Sequence, residues 1–154
     1  MTSPSVPAVG AAAPDFRTRN QHGQDVALTD LRGAPAVLIF YPWAFSGICT
    51  GELCAVRDDL ARFSGVGARV LAVSCDPMFS LRAFDEAEGL GFDLLSDHWP
   101  HGAIASAYGV FDDVVGVARR GSFVLDAEGV ITWAISQGIG EPRDIADHLA
   151  ALAA

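Results

Sequence analysis

Ala36-Val37-Leu38-Ile39-Phe40-Tyr41 is an unbroken apolar run of strand length that stops at Pro42. A strand that is apolar at every position has both of its faces covered. Proline cannot donate to a ladder, so the strand ends there. A chain built around such a strand must place further layers on both sides of a sheet, and the flanking sequence supplies them. After a loop at Trp43–Gly47, the residues Leu53, Val56, Leu60 and Phe63 recur at helical spacing and predict a helix over 48–64. Arg69–Ser74 reads as a second buried strand, Phe79–Glu88 as an amphipathic helix and Phe92–Leu95 as a third short strand. His101–Tyr108 reads as a short helix closed by Gly109. Arg120–Asp126 and Val130–Ile135 flank Ala127-Glu128-Gly129 as a hairpin, and Pro142–Ala153 closes the chain as a helix with proline near its first turn. Ahead of all these, Asp15–Leu28 alternates around Asn20-Gln21-His22-Gly23 and fits a β-hairpin.

Strands that alternate with helices imply an α/β protein with a mixed central sheet, helices on both faces and an N-terminal β-hairpin. Strands 36–41 and 69–74 would be parallel and joined by a right-handed crossover. The terminal hairpin followed by a last helix fits a thioredoxin-like fold. The 154 residues contain no repeat and no long linker, and read as a single domain over 1–154. Residues 1–13 read as a lead-in, with 1–8 loose. The formal charge of −9 disfavours nucleic acid and anionic membrane surfaces as partners, because both want a basic face. The longest apolar run, Pro35–Phe45, is too short to span a bilayer. The first sixteen residues carry three prolines, no positive region and no continuous apolar stretch, so they do not read as a signal peptide. Three cysteines then point to a reducing, cytoplasmic setting, and the odd count leaves at least one thiol free or paired between chains.

The segment after the first buried strand carries the chemistry. Cys49 falls at the start of a helix, where unpaired N–H groups and the helix dipole favour an anion such as a thiolate. Sites in α/β sheets lie beyond the carboxyl ends of strands, which is where Cys49 stands. The plainer reading is a small buried hydrophobe, the usual fate of a cysteine and the one that suits Cys75 at the end of strand 69–74. Pro42 can shield the sulfur with its ring. Ser46 can cap the helix or turn its hydroxyl to the sulfur. His22, His98, His101 and His148 are scattered and make no zinc-site spacing, and no phosphate-binding glycine motif is present, so neither a metal nor a nucleotide cofactor is indicated. Trp43, Phe45 and Trp99 read equally as core or as the flank of a site or interface.

Together, Pro42, Ser46 and Cys49 match Pro-x-x-x-Thr/Ser-x-x-Cys, and on this motif the chain resembles the peroxiredoxins. Leu94-Leu95-Ser96-Asp97 and Arg120-Gly121-Ser122-Phe123-Val124-Leu125-Asp126 are similar to further segments of that family. Ala44–Cys49 and Ser96–Gly102 look most like the AhpE-type, one-cysteine branch. The resemblance implies a thiol-dependent peroxidase acting on hydrogen peroxide, organic hydroperoxides or peroxynitrite through a Cys49 sulfenic acid. It implies that Ser46 and Arg120 orient the peroxide and hold the thiolate, that Pro42 shields them, and that Glu52 supports the network. Spacing to Phe123 selects Arg120, and alternation then leaves Arg119 as a solvated surface charge. The resemblance implies no cofactor but an external reductant, either thioredoxin or mycothiol with mycoredoxin, and a homodimer. The competing function is a non-enzymatic thiol redox sensor or holdase on the same fold. A thioredoxin-like disulfide reductase lacks its CxxC motif.

At Cys54 the chain departs from the one-cysteine pattern and resembles the PrxQ branch, whose resolving cysteine often lies five residues after the first. In an intact helix, positions i and i+5 lie about 8.6 Å apart between Cα atoms, whereas a disulfide tolerates about 7 Å at most. The bond therefore needs the first helical turn to unwind. Two readings stay open for Cys54: a resolving thiol, or a packed helix residue that never reacts.

Overall fold

The computed structural model describes residues 5–154. In chain order it contains β1 (Arg17–Arg19), β2 (Asp25–Ala27), a 3-10 turn (Leu28–Leu31), β3 (Ala36–Phe40), α1 (Gly47–Asp58), α2 (Leu60–Gly65), β4 (Arg69–Ser74) and α3 (Met78–Glu88). There follow β5 (Asp93–Ser96), α4 (Ala103–Ala107), β6 (Phe111–Asp112), β7 (Val117–Ala118), β8 (Arg120–Leu125), β9 (Ile131–Gln137) and α5 (Ile145–Ala153). The apolar run becomes β3, buried at all positions, at the centre of a five-stranded sheet of order β5-β4-β3-β8-β9. β3, β4 and β5 are parallel, and β8 and β9 run antiparallel to their neighbours.

Side-chain alternation divides the core in two. Leu38, Phe40, Leu71 and Phe123 point to one face, where Phe16 just ahead of β1 and Ile104 and Tyr108 around α4 cover them. Val37, Ile39, Ala72 and Val124 point to the other, under Leu53 and Val56 of α1, Phe63 of α2, Leu81 and Phe84 of α3 and Ile145 of α5. The sheet is therefore covered on both faces, with most of the helical mass on the side that carries α1.

The N-terminal hairpin forms where its sequence places it. The Asn20 Oδ1 atom accepts from the His22 and Gln24 N–H groups, each at 3.0 Å, which closes the turn with Gly23 at φ 75°. The Gln21 amide then completes the edge of the sheet at β5, donating to the Phe92 carbonyl at 2.9 Å and accepting the Leu94 N–H at 2.9 Å.

Several boundaries differ from the sequence reading. The helix expected over 48–64 breaks at Asp59, whose N–H is shared between the Ala55 and Val56 carbonyls at 3.2 Å each. Adjacent Asp58 and Asp59 are poor helix-interior residues because short polar side chains compete for the backbone. The closing helix starts at Ile145 and not at Pro142, because Asp144 caps it by accepting the Ala146 N–H at 2.9 Å. The two-residue strands β6 and β7 were not legible; they are joined by a turn in which Asp112 Oδ1 accepts the Val114 and Val115 N–H groups at 3.0 Å. The lead-in is not loose throughout. Gly10 N–H donates to the Ile131 carbonyl at 2.8 Å and Ala13 N–H to the Gly129 carbonyl at 2.9 Å. Ser5 and Val6 pass so close to Gly109 (φ 69°) that a Cβ there would lie 2.5 Å from their backbone. Residues 1–4 of that expectation lie outside the described residues.

Candidate active site

β3 delivers the chain to the site. Tyr41 N–H still donates to the Val73 carbonyl at 3.0 Å, and buried Pro42 then ends the ladder. The next residues are pinned to the end of β4: Ala44 N–H donates to Asp76 Oδ2 at 2.9 Å, and Ser74 Oγ–H donates to the same carboxylate oxygen at 2.7 Å. Phe45 sits at φ 70°, a conformation that costs a non-glycine residue free energy. Ser46 starts α1 as its N-cap. Its Oγ accepts the Cys49 N–H at 3.4 Å and its carbonyl the Thr50 N–H at 2.8 Å, so the capping role open to this serine is the one seen. Cys49 is the third residue of α1 and has no exposed surface. The N–H groups of Gly47 and Ile48, the first two of the helix, have no intrahelical acceptor to turn to.

One turn on from Cys49, Glu52 organises two buried arginines. Arg120, 2% exposed, donates its Nη1–H to Glu52 Oε1 and its Nε–H to the Ile139 carbonyl at 2.7 Å. Arg143 donates its backbone N–H at 2.7 Å and its Nε–H at 2.9 Å to Glu52 Oε2, and Nη2–H at 3.0 Å to Oε1. Burial opposes ionisation of Glu52, yet the hydrogen bonds and charge of Arg143, with the charge of Arg120, hold its carboxyl below the ordinary range. Two guanidinium groups against one carboxylate leave one net positive charge beside the helix end that carries Cys49.

Arg143 escaped the sequence reading, as did the two residues behind it. Its Nη1–H donates to the Gly121 carbonyl at 2.8 Å and to Ser122 Oγ at 3.0 Å. Ser122 Oγ lies 2.8 Å from His148 Nε2, and His148 Nδ1 lies 3.2 Å from the Asp144 carbonyl. A carbonyl can only accept, so the imidazole proton belongs on Nδ1 and the Ser122 hydroxyl donates to Nε2. Burial, and then the Arg143 charge, push His148 down to about 4, which keeps the ring neutral as this direction of bonding requires. Ser122 was findable in principle: it lies two residues after Arg120 on β8 and so shares its face. Arg143 had no such signal, because Pro142 read as the first turn of a helix and made its neighbour look solvated.

Arg119 is not the solvated charge that alternation suggested. It lies between β7 and β8, is half-buried, and donates its Nη2–H to the Gly109 carbonyl at 2.8 Å. Cys54 is half-buried on the intact α1, and its thiol donates to Glu88 Oε2 at 3.5 Å. Burial and that hydrogen bond hold the Cys54 thiol above its ordinary range. Cys75 is buried, and burial with the nearby Asp97 and Asp76 charges pushes it up to about 12, the setting of an inert thiol. Trp43, Phe45 and Trp99 are 40%, 57% and 85% exposed, so none is core.

The AhpC/TSA family model matches residues 9–134. Alkyl hydroperoxide reductase E of Mycobacterium tuberculosis (strain ATCC 25618 / H37Rv) is 47% identical over 150 residues, covering 95% of this chain and 98% of that protein. Chloroplastic peroxiredoxin Q of Oryza sativa subsp. japonica is 34% identical over 141 residues, covering 91% of this chain and 64% of that protein. Among solved structures, the peroxidoxin BcpB of Mycobacterium tuberculosis superposes with a TM-score of 0.83 at 32% identity, covering 94% of this chain and 96% of that one. Enterococcus faecalis AhpC superposes with a TM-score of 0.88 at 26% identity over 94% and 90% of the two chains. The motif on β3 and α1, the arginine cluster behind it and these relationships agree, and the chain belongs to the AhpC/TSA family of peroxiredoxins.

Proposed function

We propose that this thiol-dependent peroxidase carries out its chemistry at Cys49, with Arg120, Ser46 and Pro42 around the reacting atoms and Glu52 holding Arg120 in place. The observation that carries the reading is the buried cluster of Glu52, Arg120 and Arg143 one turn from Cys49. The Cys49 thiolate displaces the distal peroxide oxygen in line, leaving a sulfenic acid on Cys49 and releasing water or an alcohol. Ionisation is only part of the rate. A free cysteine with pKa about 8.5 is already a few per cent thiolate at neutral pH, so full ionisation gains at most about 1.4 to 2 log units. Nucleophilicity falls as pKa falls, which erodes that gain. The remainder must come from donors that meet charge as it moves onto the leaving oxygen. We assign that work to the Arg120 guanidinium, the Ser46 hydroxyl and the Gly47 and Ile48 N–H groups. Cys49 is fully buried in the resting fold.

Exposed Trp43, Phe45 and Ile48 make the rim of the site apolar and favour organic hydroperoxides beside hydrogen peroxide and peroxynitrite. The name of the mycobacterial relative supports the same substrate class. The chain uses no cofactor. With Cys54 as the resolving thiol, the sulfenic acid becomes a Cys49–Cys54 disulfide that thioredoxin reduces; with Cys54 inert, an external thiol attacks the sulfenic acid directly, either mycothiol with mycoredoxin or thioredoxin. It works as a homodimer in the cytoplasm, the compartment suited to free thiols. The five-residue spacing from Cys49, which resembles the PrxQ branch, supports the role of Cys54. Stopped-flow oxidation of the reduced protein by peroxide is the test. Cys49→Ser should lose peroxide reduction while keeping the fold, and substantial turnover by that variant would refute the assignment. Oxidation of wild type no faster than free cysteine would point instead to a sensor or holdase.

A further inference from the structure

Cys54 stands in a setting of its own, outside the Cys49 cluster. Its Sγ lies 3.5 Å from Glu88 Oε2, at the last residue of α3. Arg57, three residues on from Cys54 and so on the same side of α1, donates its Nη1–H to the Glu88 backbone carbonyl at 2.6 Å. The charged groups that act on Cys54 are thus Glu88 from α3 and Arg57 and Asp58 from α1. Leu53 and Val56, on either side of Cys54 in sequence, are buried in the core, and a Cβ at Gly47 or Gly51 in the first turns would meet nothing within 4 Å. Resolution assisted by this group needs Cys54 to keep Glu88 beside it while the first turn unwinds to bring Cys49 over.

We propose that Glu88 is the proton acceptor for the Cys54 thiol as that thiol attacks the Cys49 sulfenic acid, an inference that rests on Cys54 being the resolving cysteine. The Cys54 sulfur forms the S–S bond with its electron pair, and the S–O bond of the sulfenic acid breaks with its pair staying on oxygen. Glu88 takes the thiol proton and later returns one to solvent. The departing hydroxide takes up a proton, so the net product is one water. The Cys54 sulfur is oxidised and the Cys49 sulfur reduced, with no other reagent. A base is needed because a thiol held above its ordinary range supplies little thiolate at neutral pH, and the same hydrogen bond that holds the proton in the resting state receives it in the transition state. Arg57 faces the charge that develops on sulfur.

The experiment is a single turnover with one equivalent of peroxide between pH 6 and 8, quenched by alkylation, with the Cys49–Cys54 disulfide followed by peptide mass mapping. Wild type should form the bond at a nearly constant rate across that range, because a thiol already paired with its base needs no pre-formed thiolate. Glu88→Gln should depend on pre-formed thiolate, losing about tenfold per pH unit downward and falling on the order of a hundredfold below wild type at pH 6. Glu88→Asp keeps a carboxylate with a shorter reach and should be slower than wild type but equally flat, a readout that survives if the glutamine variant folds poorly. Glu88→Gln as fast as wild type, or faster, at every pH would mean that Glu88 merely holds the thiol protonated and would overturn the proposal alone. Absence of any Cys49–Cys54 disulfide in wild type would remove the resolving role and the proposal with it.

Discussion

Replacing Arg120 by alanine separates two ways of activating Cys49. Arg120 makes one hydrogen bond to Glu52 and one to the Ile139 carbonyl, and Glu52 keeps three bonds from Arg143 when it goes. The carboxylate stays paired, so the fold should lose about 1.5–3 kcal/mol, the worth of a charge-assisted hydrogen bond, and not the roughly 3–5 kcal/mol of leaving a buried charge without a partner. The rate should suffer more. Loss of thiolate alone costs at most about 1.4 to 2 log units at neutral pH. Loss of a donor on the leaving oxygen adds on the order of 10²–10³. The assay is the rate of Cys49 oxidation in stopped flow, measured from pH 7 upward into the range where a thiol ionises unaided. High pH should restore the first part only, leaving a deficit on the order of a hundredfold. Full rescue at high pH would refute a transition-state role and reduce Arg120 to a setter of thiol ionisation. Arg119→Ala is the control: it loses the bond to the Gly109 carbonyl and some stability, with the oxidation rate near wild type.

Two further outcomes test the network and the helix. His148 is fully buried and pushed down to about 4, so its neutral form is favoured in the fold, and stability present above the unfolded value of about 6.5 is lost as pH falls toward 4. In urea titrations the gap between wild type and His148→Gln should narrow by about 3 kcal/mol between pH 7 and pH 4. Asp97, pushed up to about 6 by burial, acts with the opposite sign over part of that window, which is why the difference between the two proteins is the quantity to read. A constant gap would show that His148 does not titrate in the fold. Gly51 has no positive φ and room for a Cβ, so Gly51→Ala should stabilise α1 by up to about 1 kcal/mol and slow the unwinding step by roughly fivefold. Disulfide formation after a peroxide pulse reads that rate, and an unchanged rate at raised melting temperature would show that unwinding does not limit it.

Local chemistry made much of the molecule legible from residues alone. The unbroken apolarity of Ala36–Tyr41 demands cover on both faces, and both faces are covered. Pro42 cannot extend a ladder, and Ser46 three residues before Cys49 is a helix cap by the reach of its side chain. Resemblance to the peroxiredoxin segments then marked Arg120 and Glu52. Each of these follows from interactions within a few residues or from a pattern carried by the segment itself. The tertiary structure decided what depends on approach between distant segments. Arg143 lies 91 residues from the carboxylate that it binds and His148 lies 26 from Ser122, so no local period announces either. Pro142 suggested a helix start, but burying the Arg143 guanidinium against Glu52 holds the chain extended until Asp144 can cap. Arg119 is half-buried because the carbonyl of Gly109 needs a donor where the chain turns back. The intact α1 leaves Cys54 bonded to Glu88, so whether two thiols five residues apart can meet is settled by how readily one helical turn gives way, a quantity set by its packing and its two glycines.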